Sequence, residues 1–245
     1  MGVQADVSGL VGHWRTVAGS YDAANTRLRD LSGFGNHLPL VTGAPDFTVV
    51  RDGRTGMKMH GDAYFGGKNV LPAEFTMISV LWPNLLGTES FYPFYATRRT
   101  FANVNDPAWQ TPTDTLGVTN LPTALRLRLF GGNATFGDNT FGFASAAYTS
   151  SAWRVITCVL DVADGYRKIR IDNGAWVING PPTQQRNMLY NDEFYLGLFP
   201  GGTITTSGGQ SLTSLQHIMY IGDVTQTDNS DYEALITALL ANPAV

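Results

Sequence analysis

WRVITCVLDVADGYRKIRIDNGAWVIN, residues 153–179, is the stretch that decides the fold. Residues 154–161 form one apolar, β-branched run with the composition of a strand. Asp164-Gly165 follows, a pair that favours the positive φ angles of a tight hairpin turn. Tyr166 to Ile171 predicts a second strand, Asp172-Asn173-Gly174 a second turn, and Ala175 to Asn179 a third strand. The segment is therefore a β-meander. The single Cys158 lies in its first strand, where a buried, inert thiol is the reading favoured over a nucleophile.

Working outward, short apolar or alternating runs at 10–16, 57–60, 75–82, 91–96, 125–130, 194–199 and 215–222 predict further strands. Their number and spacing fit a two-sheet antiparallel sandwich, not βαβ units. One helix is expected near the end. Ser230 and Glu233 have the spacing of a capping box, and Tyr232, Leu235, Ile236, Leu239 and Leu240 fall on one face. That apolar face should dock on the sandwich, and Asn242-Pro243 stops the helix. Two regions, 97–124 and 200–214, show no element pattern and are expected as long loops of one domain spanning 1–245.

Composition narrows the function classes. The 245 residues carry a net charge of −4 and a pI near 5.5, against the clustered cations that nucleic-acid binding requires. Only 15% of residues are charged, while aromatics reach 11%, with 27 Gly and 12 Pro. The surface is expected to be polar but sparsely charged, and rich in turns. Arg outnumbers Lys 13 to 3, which suits planar, bidentate contacts to anions. One cysteine excludes a disulfide within the chain. No apolar run approaches the roughly 20 residues of a membrane span. The N-terminal Met-Gly-Val-Gln-Ala-Asp lacks the basic and apolar regions of a signal peptide.

Several ordered motifs resemble the concanavalin A-like lectin/glucanase superfamily, particularly its laminin-G-like branch. Leu10-Val11-Gly12-His13-Trp14 is similar to the opening strand, and Asp30-Leu31-Ser32-Gly33-Phe34-Gly35-Asn36-His37 resembles the Asp-x-Ser-Gly-x-Gly-Asn turn. The segments 53–61 and 74–79 look like the strands that follow. Trp153-Arg154-Val155-Ile156, Ile171-Asp172-Asn173-Gly174 and the strand at 218–222 before the helix resemble the later signatures. The match is weakest over 97–150 and 180–214. The resemblance implies a jelly-roll β-sandwich with a short C-terminal helix packed on it. It does not fix the function, because the superfamily hosts lectins, glycosidases, lyases, adhesion modules and virion proteins.

Catalytic patterns are not met. A glycosidase needs two carboxyl groups flanking the scissile bond, and the family's closely spaced acids on one strand are missing. The only Glu residues are Glu74, Glu89, Glu193 and Glu233, none two residues from an Asp with a third acid beyond. Leu215-Gln216-His217 departs from the Gln-x-His of lyases of this fold. A pair assembled from separate strands stays open. The four His show no metal-ligand spacing, and neither a phosphate loop nor a serine elbow is present. Many laminin-G-like domains hold calcium. Asp30 and Asn36, in the matching turn, are the candidates for Ca²⁺, with a self-hydrogen-bonded turn the preferred alternative.

Binding fits better. Phe91-Tyr92-Pro93-Phe94-Tyr95-Ala96-Thr97-Arg98-Arg99 is the densest aromatic and basic cluster, with Trp109 beyond it. Aromatic faces stack on sugars, and arginines suit acidic ones. Strict alternation would put Phe91, Pro93 and Tyr95 on one face and Tyr92 and Phe94 on the other. Arg126 and Arg128 share a strand face opposite Leu125, Leu127 and Leu129. The expectation is a non-catalytic glycan-recognition or adhesion module contacting a polysaccharide or cell-surface glycan, acidic by preference. Its contact residues are Tyr92, Tyr95, Arg98, Arg99 and Trp109, with Arg126 and Arg128 secondary. The competing aromatic reading is sandwich core. A phage-like virion appendage, as a homo-oligomer or with other virion proteins, would reconcile an outward-facing fold with the lack of a cleaved leader. A polysaccharide lyase or hydrolase and a purely structural virion protein are the alternatives.

Overall fold

In a computed structural model, the described residues form two antiparallel sheets, one α-helix and a single 3₁₀ turn at Ala18–Ser20. The structure describes residues 8–58, 64–67, 72, 74–82, 90–98, 114–121, 124–131, 143–145, 152–161, 166–179, 193–197, 213–226 and 230–244. The meander is present as β13 (Arg154–Asp161), β14 (Tyr166–Ile171) and β15 (Val177–Asn179), paired in that order. Asp172 takes φ 52, and its carboxylate accepts from Val155 N at 2.9 Å and Arg154 Nη1 at 2.7 Å. Asp164-Gly165 lies outside the described residues.

β13 continues into β8 (Glu74–Trp82), which pairs in turn with β17 (Thr213–Ile221). Beyond β17 come β6 (Arg54–Lys58) and β5 (Val49–Arg51), while β1 (Leu10–Arg15) also pairs with β17. Together these make an eight-stranded sheet. The second sheet has nine strands. Its order is β12 (Phe143–Ser145), β11 (Ala124–Gly131), β10 (Asp114–Leu121), β9 (Ser90–Arg98), β16 (Glu193–Gly197), β7 (Tyr64–Gly67), β4 (Leu38–Thr42), β3 (Arg27–Leu28) and β2 (Tyr21–Asp22). Strand β10 corrects the loop expected over 97–124. Its Gly117 and Asn120 weaken the strand signal, and pairing on both sides by β9 and β11 overrides that weakness.

Residues 75–81 of β8 and 213–220 of β17 are buried without alternation, because the eight-stranded sheet is covered on both faces. One face meets the nine-stranded sheet, and buried Trp14, Phe75, Met77, Cys158, Met219, Phe65 and Leu196 belong to this core. Burial pushes the Cys158 thiol well above its ordinary range, which suits an inert packing role. Gly12 is required here, since a Cβ on it would lie 2.4 Å from the Trp14 ring. The other face carries α1 (Ser230–Ala241), whose buried Tyr232, Leu235, Ile236 and Leu239 pack with Ile78, Val80, Val155, Ile218 and Tyr220. The helix therefore docks with the face its spacing predicts.

The cap differs from expectation. Ser230 is the first helical residue, and the Glu233 carboxylate accepts from Arg170 Nη2 at 2.8 Å, clamping the helix to β14. The Arg170 guanidinium lies 4.9 Å from the Trp176 ring centre and 4.8 Å from that of Tyr232. The Tyr232 hydroxyl donates to Thr157 Oγ1 at 3.0 Å, which ties the helix to β13.

Candidate functional site

The candidate contact residues on described strands lie in the nine-stranded sheet, where β9 is flanked by β10 and β16. Directly paired residues share a sheet face, so the register sorts them. Tyr95 pairs with Leu116 on one side and Leu196 on the other, and Leu196 pairs with Phe65. Leu196 and Phe65 are fully buried. Tyr95 thus occupies a position on the core face. Tyr92 pairs with Val118, two residues from Leu116, and so shares that face.

This corrects the strict alternation expected for the segment. The register shifts between Leu116 and Gly117, whose partners are Tyr95 and Pro93, so β9 carries one extra residue. Pro93 lacks the amide donor that a central strand needs, and bulges are where sheets accept proline. The bulge brings Tyr92 and Tyr95 onto one face, the core face, where aromatic core was the competing reading.

The arginines fall on the opposite face. Arg126 pairs with Thr119, which pairs with Phe91, and Arg128 pairs with Gly117, which pairs with Pro93. Ala96 pairs with Thr115 and Tyr195, which places Arg98, two residues on, on this face as well. Arg98 sits opposite Glu193, a cross-strand pairing of unlike charges, roughly 15 Å along β9 from the level of Arg128. Arg99 and Trp109 lie outside the described residues. The positions that sequence reasoning missed on this face are Phe91, Thr115, Gly117, Thr119 and Tyr195. Recognising them needed β10, whose Thr-x-Gly-x-Thr alternation was the available signal.

The turn carrying Asp30 and Asn36 is closed by hydrogen bonds within itself and to β1. Asp30 Oδ1 accepts from His13 N and Ser32 N, both at 2.9 Å. Asp30 Oδ2 accepts from Ser32 Oγ at 2.7 Å and Asn36 N at 2.9 Å. Four donors occupy the roughly four acceptor sites of a carboxylate. Asn36 Nδ2 donates to Val11 O at 2.8 Å, and the backbone carbonyl of Asn36 accepts from Trp14 Nε1 at 2.7 Å. Among the described residues no group of three or more His, Cys, Asp or Glu gathers to hold a metal.

The other polar constellation is interior. The His217 ring nitrogens lie 2.9 Å from Ser79 Oγ and 2.7 Å from Ser214 Oγ, and Ser214 Oγ lies 2.8 Å from Thr16 Oγ1. Burial, reinforced by neighbouring His13, lowers the His217 pKa to about 3. A neutral imidazole sealed between hydroxyls in the core suits structure rather than nucleophile activation. Among the described glutamates, Glu74, Glu193 and Glu233 lie on β8, β16 and α1, spread over both sheets and the helix.

No protein-family model matches the chain, and no curated protein matches it by sequence. Solved structures do. The binding domain of botulinum neurotoxin serotype C1 superposes with a TM-score of 0.61 at 10% identity, over 97% of this chain and 53% of that one. The W1252A mutant of HCR D/C VPI 5995 gives 0.62 at 10% identity, with the same coverage. A Trypanosoma rangeli sialidase mutant displaying trans-sialidase activity gives 0.60 at 13% identity, over 97% of this chain and 34% of that one. The chain thus spans about half the length of the toxin domains and a third of the sialidase. At these identities the likeness establishes the β-sandwich fold.

Proposed function

We propose that the protein is a non-catalytic glycan-recognition module that binds an acidic sugar chain on the face of β9, β10 and β11 turned away from the core. The observation that carries this reading is the register. It sets Arg126 and Arg128 on one face with Phe91, Thr119, Gly117 and Pro93, so cations and an aromatic flank a strip of small and hydroxylated positions. Sugar sites combine apolar walls with a few polar groups in this way, and guanidinium groups bind carboxylates bidentately. Neighbouring folds lend support. Cell entry of botulinum neurotoxin type C depends on interaction with two ganglioside molecules, and the sialidase has been seen in complex with sialic acid.

The proposed setting is a multi-protein surface assembly of the phage-particle kind, in which several copies would turn weak sugar contacts into avidity. Light scattering on the purified chain tests self-association. A glycan array probed with wild type and with Arg126→Ala/Arg128→Ala tests recognition. Binding of uronate- or sialate-bearing glycans, lost in the double variant, is the expected result. Retained binding in that variant would move the site elsewhere.

A further inference from the structure

We infer that β1 is an acid-released strand that covers two buried histidines. His13 lies on β1 opposite Ile218, and the next residue, Trp14, pairs with His217. The two histidines thus occupy adjacent rows of one strand pair and opposite faces of the sheet. His13 Nε2 lies 2.8 Å from Gln216 Oε1, and Gln216 Nε2 donates to Pro243 O at 2.7 Å, just beyond α1. His217 is held between Ser79 of β8 and Ser214 of β17. His13 is 6% exposed and His217 fully buried.

The charged groups beside His13 are Arg15 on its own strand, which opposes protonation, and Asp30 of the adjoining turn, which favours it. The Asp30 carboxylate is already engaged by four donors. Among the described residues the titratable neighbour of His217 is His13, from β1, while β8 and β17 supply two hydroxyls. Neither site holds a free carboxylate, among the described residues, to balance two new positive charges. Burial accordingly lowers both histidines below their ordinary range.

Lifting β1 would carry His13 out with it and remove Trp14, the cross-strand neighbour of His217 on its own face of the sheet. Within the sheet β1 is paired only to β17; its outer edge is held not by a strand but by the 30–36 turn, through His13 N to Asp30, Leu31 N to His13 O, Asn36 Nδ2 to Val11 O and Trp14 Nε1 to Asn36 O, whereas β8 and β13 each have strands on both sides. Below pH 6.5 each histidine that is hydrated on opening multiplies the open population by up to about tenfold per pH unit.

Hydrogen exchange on the whole chain tests this, with rates corrected for intrinsic pH dependence. Between pH 7 and pH 5 the amides of residues 12–16 should lose protection by tenfold or more relative to those of β8 and β13. His13→Gln should reduce that loss, and His13→Gln/His217→Gln should abolish it. If His217→Gln does not fold, His13→Gln alone decides. Equal loss across β1, β8 and β13, a flat response in β1, or an unchanged response in His13→Gln would each overturn the proposal.

Discussion

Asp30→Asn separates a structural turn from a calcium site, and its cost follows from the four hydrogen bonds. An amide replaces one carboxylate oxygen by NH₂ and removes the negative charge. Placed at the Oδ2 position, the NH₂ faces Ser32 Oγ, which can rotate to accept, and Asn36 N–H, which cannot. At least one charge-assisted bond is lost outright and the others weaken, a cost of about 2–4 kcal/mol. For a domain of this size that is a fall of roughly 5–15 °C in melting temperature. The assay is a thermal melt followed by circular dichroism, for both proteins, in calcium and in chelator. Wild type should melt at the same temperature in both, and the variant lower by the stated amount in both. A calcium-dependent rise in wild type that vanishes in Asp30→Asn would refute the structural assignment. So would a variant that melts with wild type.

Three further outcomes follow from the buried groups. The Tyr220 hydroxyl is buried without a hydrogen-bond partner among the described residues, so Tyr220→Phe should leave urea stability unchanged or raise it by about 1 kcal/mol; a loss of that size would show that the hydroxyl is satisfied. Truncating Ile236 to Ala should cost about 2–5 kcal/mol in the same titration, whereas a cost below about 1 kcal/mol would mean that α1 does not pack on the sheet. His217 stays neutral in the fold down to about pH 3 while the unfolded chain takes up its proton near 6.5. Stability should therefore fall as pH drops through that window, by at most about 1.4 kcal/mol per unit, and His217→Gln should flatten the slope.

Much of the fold was legible because local signals agreed with the tertiary result. The Asp172-Asn173-Gly174 turn, the apolar runs of β8 and β13, and the 3.6-residue spacing of α1 each had one structural solution. Short strands escaped for physical reasons. Asp52-Gly53 makes a tight turn with φ 47 and 70, but β5 before it has only three residues, too few for a pattern. β10 was hidden by Gly117 and Asn120, and it holds its place through pairing with β9 and β11 on either side. The Glu233 carboxylate looked like a cap because its spacing was right, and only the fold reveals Arg170 within reach. At the candidate site, alternation placed Arg126 and Arg128 together on one face. It misplaced Tyr92 relative to Tyr95, because a bulge resets the period and a single strand does not announce its partner's register.

The most direct test of glycan recognition on the β9–β11 face is a calorimetric titration with an acidic oligosaccharide taken from the array. Wild type, Arg126→Ala/Arg128→Ala and the core-side Tyr92→Phe should be compared at two salt concentrations. The expected result is binding by wild type that weakens in salt and falls at least tenfold in the double arginine variant, with melting unchanged and Tyr92→Phe like wild type. Wild-type and double-variant affinities that coincide, or no binding to any acidic glycan even by a multivalent form, would contradict it.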